Sequence, residues 1–302
     1  MKKDRISVLH HLQGIEKSEV VENFLGSILK GKSGSLDLVF VNEILSDIDD
    51  RERRRLAEKR RKDRKLLPSK EVIKRAETNF SKYLPDYYIK SRSISGDPVN
   101  IILERIGESN YDLLSLEAYG RGGFHKNILG VHVTKIIQKS PLPTIVTKGR
   151  HNFCERVLVN IPHDKERCVK LLYFLSDILR GTDIEITLLV VVPEEKEKFV
   201  GYISSEEEEL LESIENYPRD EVGYLGIAKE IMTKKGLEYE AKRRVGEVTE
   251  EIFSETKGGK YDLLAFYPGK SSIFESIWSG DKSLNMMQDI EISFLKLPRE
   301  DN

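Results

Sequence analysis

The chain has 302 residues, 39% of them hydrophobic, enough to bury a core and more than one domain usually holds, so two domains are the first expectation. Lys and Arg number 49 against 51 Asp and Glu, which excludes the overall basic excess of a protein that coats nucleic acid. No apolar run reaches the roughly 20 residues of a membrane span, no signal-like h-region follows Met1, and Cys154 and Cys168 form neither a disulfide framework nor a CxxC site; a soluble, cytoplasmic protein is expected.

In chain order, residues 6–12 read as a strand, and Val20, Val21, Phe24, Leu25, Ile28 and Leu29 then recur at helical spacing behind Ser18, an N-cap candidate. The run from Gly26 to Ser33 satisfies GxxxxGK[ST], the pattern of a phosphate-binding P-loop. Such a loop must leave a strand and open a helix, so that N–H groups converge on the phosphates. Here it ends a helix and leads into a strand over 36–41, which predicts a glycine C-cap and turn instead. Further strands are expected at 87–94, 113–116 and 144–147, with helices before the last two.

The second half repeats this layout, with strands over 157–161, 184–192, 239–245, 263–266 and 292–297 and a helix carrying Leu171, Leu172, Leu175, Ile178 and Leu179. Gly96-Asp97-Pro98 and Tyr111-Asp112-Leu113-Leu114 recur as Gly246-Glu247-Val248 and Tyr261-Asp262-Leu263-Leu264, an offset of 150 residues. The same offset is assigned to the opening strands, Ser7-Val8-Leu9 and Val157-Leu158-Val159. Two homologous domains follow, 1–149 and 152–302. Each is an α/β doubly wound (Rossmann-like) unit with a five-stranded, mainly parallel sheet covered on both faces. Ligands gather in such sheets beyond the C-terminal strand ends, where strand order reverses. The two last strands, 144–147 and 292–297, would be apolar edges and are expected to pair with each other.

The loop Tyr119-Gly120-Arg121-Gly122-Gly123 follows the fourth strand and precedes a helix carrying Ile128, Leu129 and Gly130, a suitable context for an anion; Arg121, His125 and Lys126 supply charge. A flexible strand-to-helix turn has the same composition. The stretch from Tyr111 through this loop to Leu129-Gly130 and Pro143-Thr144-Ile145-Val146 resembles the C-terminal half of a universal stress protein domain, as does Gly-Asp-Pro before the third helix. The resemblance covers nearly the whole chain in a tandem form. ATP-binding members carry Gly, two residues, Gly, nine residues, Gly, then Ser or Thr, and these positions fall on Glu117, Gly120, Gly130 and Val131. Only the two inner glycines match. The resemblance also implies a ribose-holding Asp where Gln13 stands, followed by Gly14, and it draws Val41, Gly122 and Gly123 into the candidate nucleotide site.

Glu117 is expected to set a negative charge beside the phosphates, and Val131 lacks the hydroxyl that would donate to them. In the second half Phe266, Gly269, Ser279 and Gly280 occupy the pattern and Pro162 replaces the Asp, so any ATP, ADP or AMP is expected in the first half. The resemblance implies a stress-response regulator carrying an adenine nucleotide; a protein-interaction scaffold with two decayed pockets stays open beside it, as does a homodimer or another protein partner.

His10 and His11 are adjacent on a strand, and the remaining histidines lack metal-ligand spacing. With no nucleophile elbow, HExxH helix or paired carboxylates, no enzyme activity is expected. Residues 51–65 hold ten Lys or Arg and three acids, net +7, and residues 194–215 hold nine Glu and two Lys, net −7. Solvated arms that attract one another are expected, and nucleic acid is not.

Overall fold

The computed structural model describes residues 5–13, 19–43, 69–118, 130–148, 151–192, 220–257, 260–268 and 291–298. In the first half these form β1 (Arg5–Leu12), α1 (Glu19–Ile28), β2 (Ser33–Glu43), α2 (Ser69–Tyr83), β3 (Tyr87–Gly96), α3 (Pro98–Glu108), β4 (Leu113–Glu117), α4 (Val131–Lys139) and β5 (Thr144–Thr147). The second half gives β6 (Arg156–Asn160), α5 (Lys165–Leu179), β7 (Glu185–Val192), α6 (Asp220–Lys235), β8 (Glu240–Val245), α7 (Val248–Thr256), β9 (Leu263–Phe266) and β10 (Ser293–Lys296). The arms, at 51–65 and 194–215, lie outside the described residues.

All ten strands join one sheet in the order β3-β2-β1-β4-β5-β10-β9-β6-β7-β8. Every pairing is parallel except that of β5 with β10, where Val146, Ile145 and Thr144 face Phe294, Leu295 and Lys296. With Thr144 equivalent to Phe294 and Val146 to Lys296, the Ile145–Leu295 pair maps onto itself. A pseudo-twofold axis therefore passes through that pair, normal to the sheet.

Side-chain alternation sends each strand's residues to two apolar layers. Val8, Leu36, Phe24, Phe80, Val157, Leu171 and Met232 belong to the layer beneath α1, α2, α5 and α6. Leu9, Val39, Ile102, Leu114, Ile136, Ile252 and Phe294 belong to the layer beneath α3, α4 and α7.

The repeated motifs are architectural. Gly96 and Gly246 turn the chain at φ 154 and 146, and the acid after each caps the next helix: Asp97 accepts from Asn100 N, and Glu247 from Thr249 N and Glu250 N. Asp112 accepts from Ser7 N, and Asp262 from Glu155 N and Arg156 N, which ties β4 to β1 and β9 to β6. Tyr111 donates to Asp37 at 2.6 Å and Tyr261 to Glu255 at 3.0 Å. Cations close both clusters, Arg92 and Arg105 around Asp37 and Lys242 and Arg244 around Glu255. The buried acid has moved from strand β2 in one half to helix α7 in the other.

Strand register corrects the offset of the opening strands. Val8 pairs with Leu113 and Val157 with Leu263, so Val8 corresponds to Val157, 149 residues on, while the later elements keep 150. A one-residue shift exchanges the two faces of a strand, and only the offset of 149 puts Val8 and Val157 in the same layer.

The Gly26–Ser33 run closes α1 and opens β2, with Gly31 at φ 73 as the turn residue. Lys32 is buried and donates to the Arg180 carbonyl at 2.6 Å, holding the two halves together rather than reaching a phosphate.

Candidate functional site

In the first half the strand order reverses between β1 and β4, so the chain ends leaving these two strands part and open a crevice there. Gln13, just past β1, donates from Nε2 to the Glu117 carbonyl at 2.7 Å, which leaves its side-chain oxygen to accept from a ligand hydroxyl. The helix that follows β4 begins at Val131 with Gly130 as N-cap, and among the described residues no side chain caps it. The first N–H groups and positive dipole end of a helix are favourable to an anion. Gly130 itself has φ −64 and room for a Cβ, so packing does not demand glycine there.

Val41 lies on β2, packed against the layer beneath α3 and α4. Gly14, Gly120, Arg121, Gly122 and Gly123 lie outside the described residues, so the site rests on Gln13, Val41, Gly130 and Val131. Val131 is 64% exposed at the first turn of α4, where a donor hydroxyl would face an anion.

Strand alternation adds residues that motif reading missed. Glu43 shares a strand face with Val41 two residues earlier, and His132 follows Val131; His132 Nε2 lies 3.6 Å from Glu43 Oε1. His11, on the same face of the sheet, is buried and held neutral, its pKa lowered to about 3 by burial and by the neighbouring His10 and His132. Among the described residues no three His, Cys, Asp or Glu gather to hold a metal ion.

Glu117 departs from its expected role. As the last residue of β4 it alternates with Leu116 and turns its carboxyl to the α1 and α2 side, where it is fully buried. Burial raises its pKa to about 8, against the opposing effects of the Gln13 backbone N–H and of Arg75. At neutral pH it is a neutral acid on the far face of the sheet, not a negative charge beside the phosphates. Its Oε1 lies 3.4 Å from His10 Nε2, and His10 Nδ1 lies 2.9 Å from Ser115 Oγ. Ser115, His10 and Glu117 are the residue types of a hydrolase relay, but all three have no exposed surface, so Ser115 Oγ meets no substrate.

In the second half Pro162 stands at the Gln13 position, and β9 register puts Tyr267, not Phe266, at that of Glu117. The Arg167 guanidinium covers the Tyr267 ring at 5.6 Å. Gly269, Ser279 and Gly280 lie outside the described residues.

No sequence-family profile and no curated protein sequence matches the chain. Solved structures do. A universal stress protein from Archaeoglobus fulgidus DSM 4304 aligns over 99% of this chain and 98% of its own, with TM-score 0.64 and 18% identity. A functionally unknown protein from Pseudomonas aeruginosa PAO1 and a putative universal stress protein from Pseudomonas aeruginosa UCBPP-PA14 give TM-scores of 0.56 and 0.54 at 12% identity, each covering 97% of this chain and 93% of its own. Among the described residues no helix is long and apolar enough to cross a membrane. From β3 at one edge to β8 at the other, the chain has the fold of a universal stress protein.

Proposed function

We propose that this chain is a non-catalytic stress-response regulator that binds an adenine nucleotide at the β1–β4 switch point of its first half. The observation that carries this reading is the asymmetry of the two halves. The first keeps an uncapped helix start behind Gly130 and a Gln13 whose carbonyl oxygen is left to accept from a ribose hydroxyl. The second substitutes a proline and an arginine-covered tyrosine. The neutral state of Glu117 also removes the repulsion expected from sequence.

Mass spectrometry of nucleotide released from the purified protein, with calorimetry against ATP, ADP and AMP, tests the reading. Val131→Ser restores a donor to a charged oxygen, worth about 1.5–3 kcal/mol, and is expected to tighten binding by at least tenfold. No retained nucleotide, and no binding by the native protein or Val131→Ser, would overturn it. The exposed Val131 favours the alternative, a protein-interaction scaffold, and the same negative result would leave that as the function.

A further inference from the structure

We propose that Glu117 is a positioning residue whose proton links ligand binding at the β1–β4 switch point to pH, the neutral carboxyl holding the end of β4 and Gln13 in place. The ligand is that of the nucleotide reading above; the coupling itself stands on geometry. Glu117 joins two compartments. Its carbonyl, on the rim of the crevice, accepts from Gln13 Nε2 at 2.7 Å, while its carboxyl lies in a closed chamber between the sheet and helices α1 and α2.

Neither carboxyl oxygen makes a hydrogen bond. His10 Nε2 lies 3.4 Å from Oε1, the Gln13 backbone N–H also acts on the carboxyl, and the His10 ring is packed edge-on against Phe80 with centroids 5.4 Å apart. Thr147, the register partner of Glu117 on β5, is also buried, with an Oγ1 that makes no hydrogen bond. The titratable groups turned to this chamber are His10 from β1, Glu22 from α1, which acts on His10, and Arg75 from α2, which acts on Glu117. Burial holds His10 neutral, with its pKa lowered to about 4, so when Nδ1 carries its proton toward Ser115 Oγ, Nε2 faces the protonated Glu117 carboxyl as an unprotonated acceptor 3.4 Å away, without a formed hydrogen bond.

Ionising Glu117 reverses this fit. Carboxylate and unprotonated Nε2 are both acceptors, Glu22 adds a second acid, and the buried charge must draw in water or leave. Either movement displaces the last residue of β4, and with it the carbonyl that orients Gln13.

The test uses the full chain with ATP, whose terminal phosphate ionises near pH 6 and so is essentially fully charged by pH 8. Affinity by calorimetry is expected to fall about fivefold between pH 8 and pH 9, as one required proton with a pKa of about 8 dictates, and Glu117→Gln is expected to flatten that slope. In the ligand-free native protein, the Gln13 side-chain amide resonance should shift with the same midpoint as the Glu117 carboxyl carbon. Affinity that stays level from pH 7 to 9, a slope that persists in Glu117→Gln, or a Gln13 signal that ignores the Glu117 midpoint would overturn the proposal. If ATP fails to bind at any pH, the nucleotide reading falls, and the two resonances decide the coupling alone.

Discussion

Residue 34 sits where β2 and β1 approach backbone to backbone, and a Cβ there would fall on the Ile6 carbonyl. Since neither strand can retreat without parting from its other neighbour, Gly34→Ala should destabilise by about 3 kcal/mol or more, measured as a drop in the urea midpoint. Buried acids give opposite pH dependences. Burial raises the Glu255 pKa, but hydrogen bonds from Lys242, Tyr261 and Arg244 more than offset it and lower the value from 4.5 to about 2. Its stabilisation is present above pH 4.5 and is lost as pH falls toward 2. Glu117 keeps its proton to about pH 8 when folded and releases it near 4.5 when unfolded, so it erodes stability as pH rises between those values. Glu255→Gln should flatten the acid limb of the stability curve, at a cost of about 1–3 kcal/mol near pH 7, because its cations keep a third of their surface in water. Glu117→Gln should flatten the slope between pH 5 and 8 and raise stability at the upper end. At this scale the motif leads to Gln13 just past β1 and to Gly130 at the N-cap of α4. Glu117 was misjudged because the motif assigns a position along the chain, and strand alternation decides which face the side chain takes.

The strands were easier to read than their phase. Most of the ten show as short apolar runs, the edge strands β3 and β8 being largely polar, but an apolar run can slide by one residue against its repeat without any visible mismatch. Only pairing with β4 and β9 revealed the 149-residue offset of β1 and β6. The start of α4 was placed a little early for a related reason: Ile128 and Leu129 continue its apolar pattern, whereas Gly130 is the cap that precedes it. What the sequence could not suggest is how the far end of that helix is held. Lys296, the last residue of β10, is 1% exposed and sends Nζ across the junction of the halves to the Ile137 carbonyl at 3.0 Å, in the last turn of α4. A cation there meets an open carbonyl and the negative end of the helix dipole. Lys296→Met preserves the length of the side chain and removes the donor. It should cost about 1–3 kcal/mol and speed amide exchange in the last turn of α4 more than in α7, which has no such cross-junction donor among the described residues.

Antiparallel pairing of β5 with β10 decides how the two halves behave as one molecule. Separating them would expose β5, four buried residues with an unpaired edge. Residues 1–149 expressed alone should therefore self-associate, most simply by pairing β5 with β5 about the same axis, and sedimentation showing a monomer at high concentration would contradict this. The same axis bears on the charged arms. Residues 51–65 lie between β2 and α2, and residues 194–215 between β7 and α6, so both leave C-terminal strand ends. A twofold normal to the sheet turns those ends in opposite directions, and seven strand spacings separate β2 from β7, about 34 Å at ~4.8 Å each. That span is several Debye lengths at physiological salt, where screening sets in near 8 Å. Attraction between arms of one chain is therefore weak at their roots, whereas two chains can bring a basic arm of one against an acidic arm of the other without that separation. Opposite net charges of equal size then favour association between chains at low ionic strength, through many exposed pairs worth only ~0–1 kcal/mol each. Sedimentation at about 20 mM salt should show dimers or larger species that dissociate by about 0.5 M. Reversing Arg53, Arg54 and Arg55 to glutamate takes the basic arm from net +7 to +1 and should shift the low-salt protein toward monomer. A native protein that is monomeric at both salt concentrations would leave the arms independent, and the basic one free for an acidic partner.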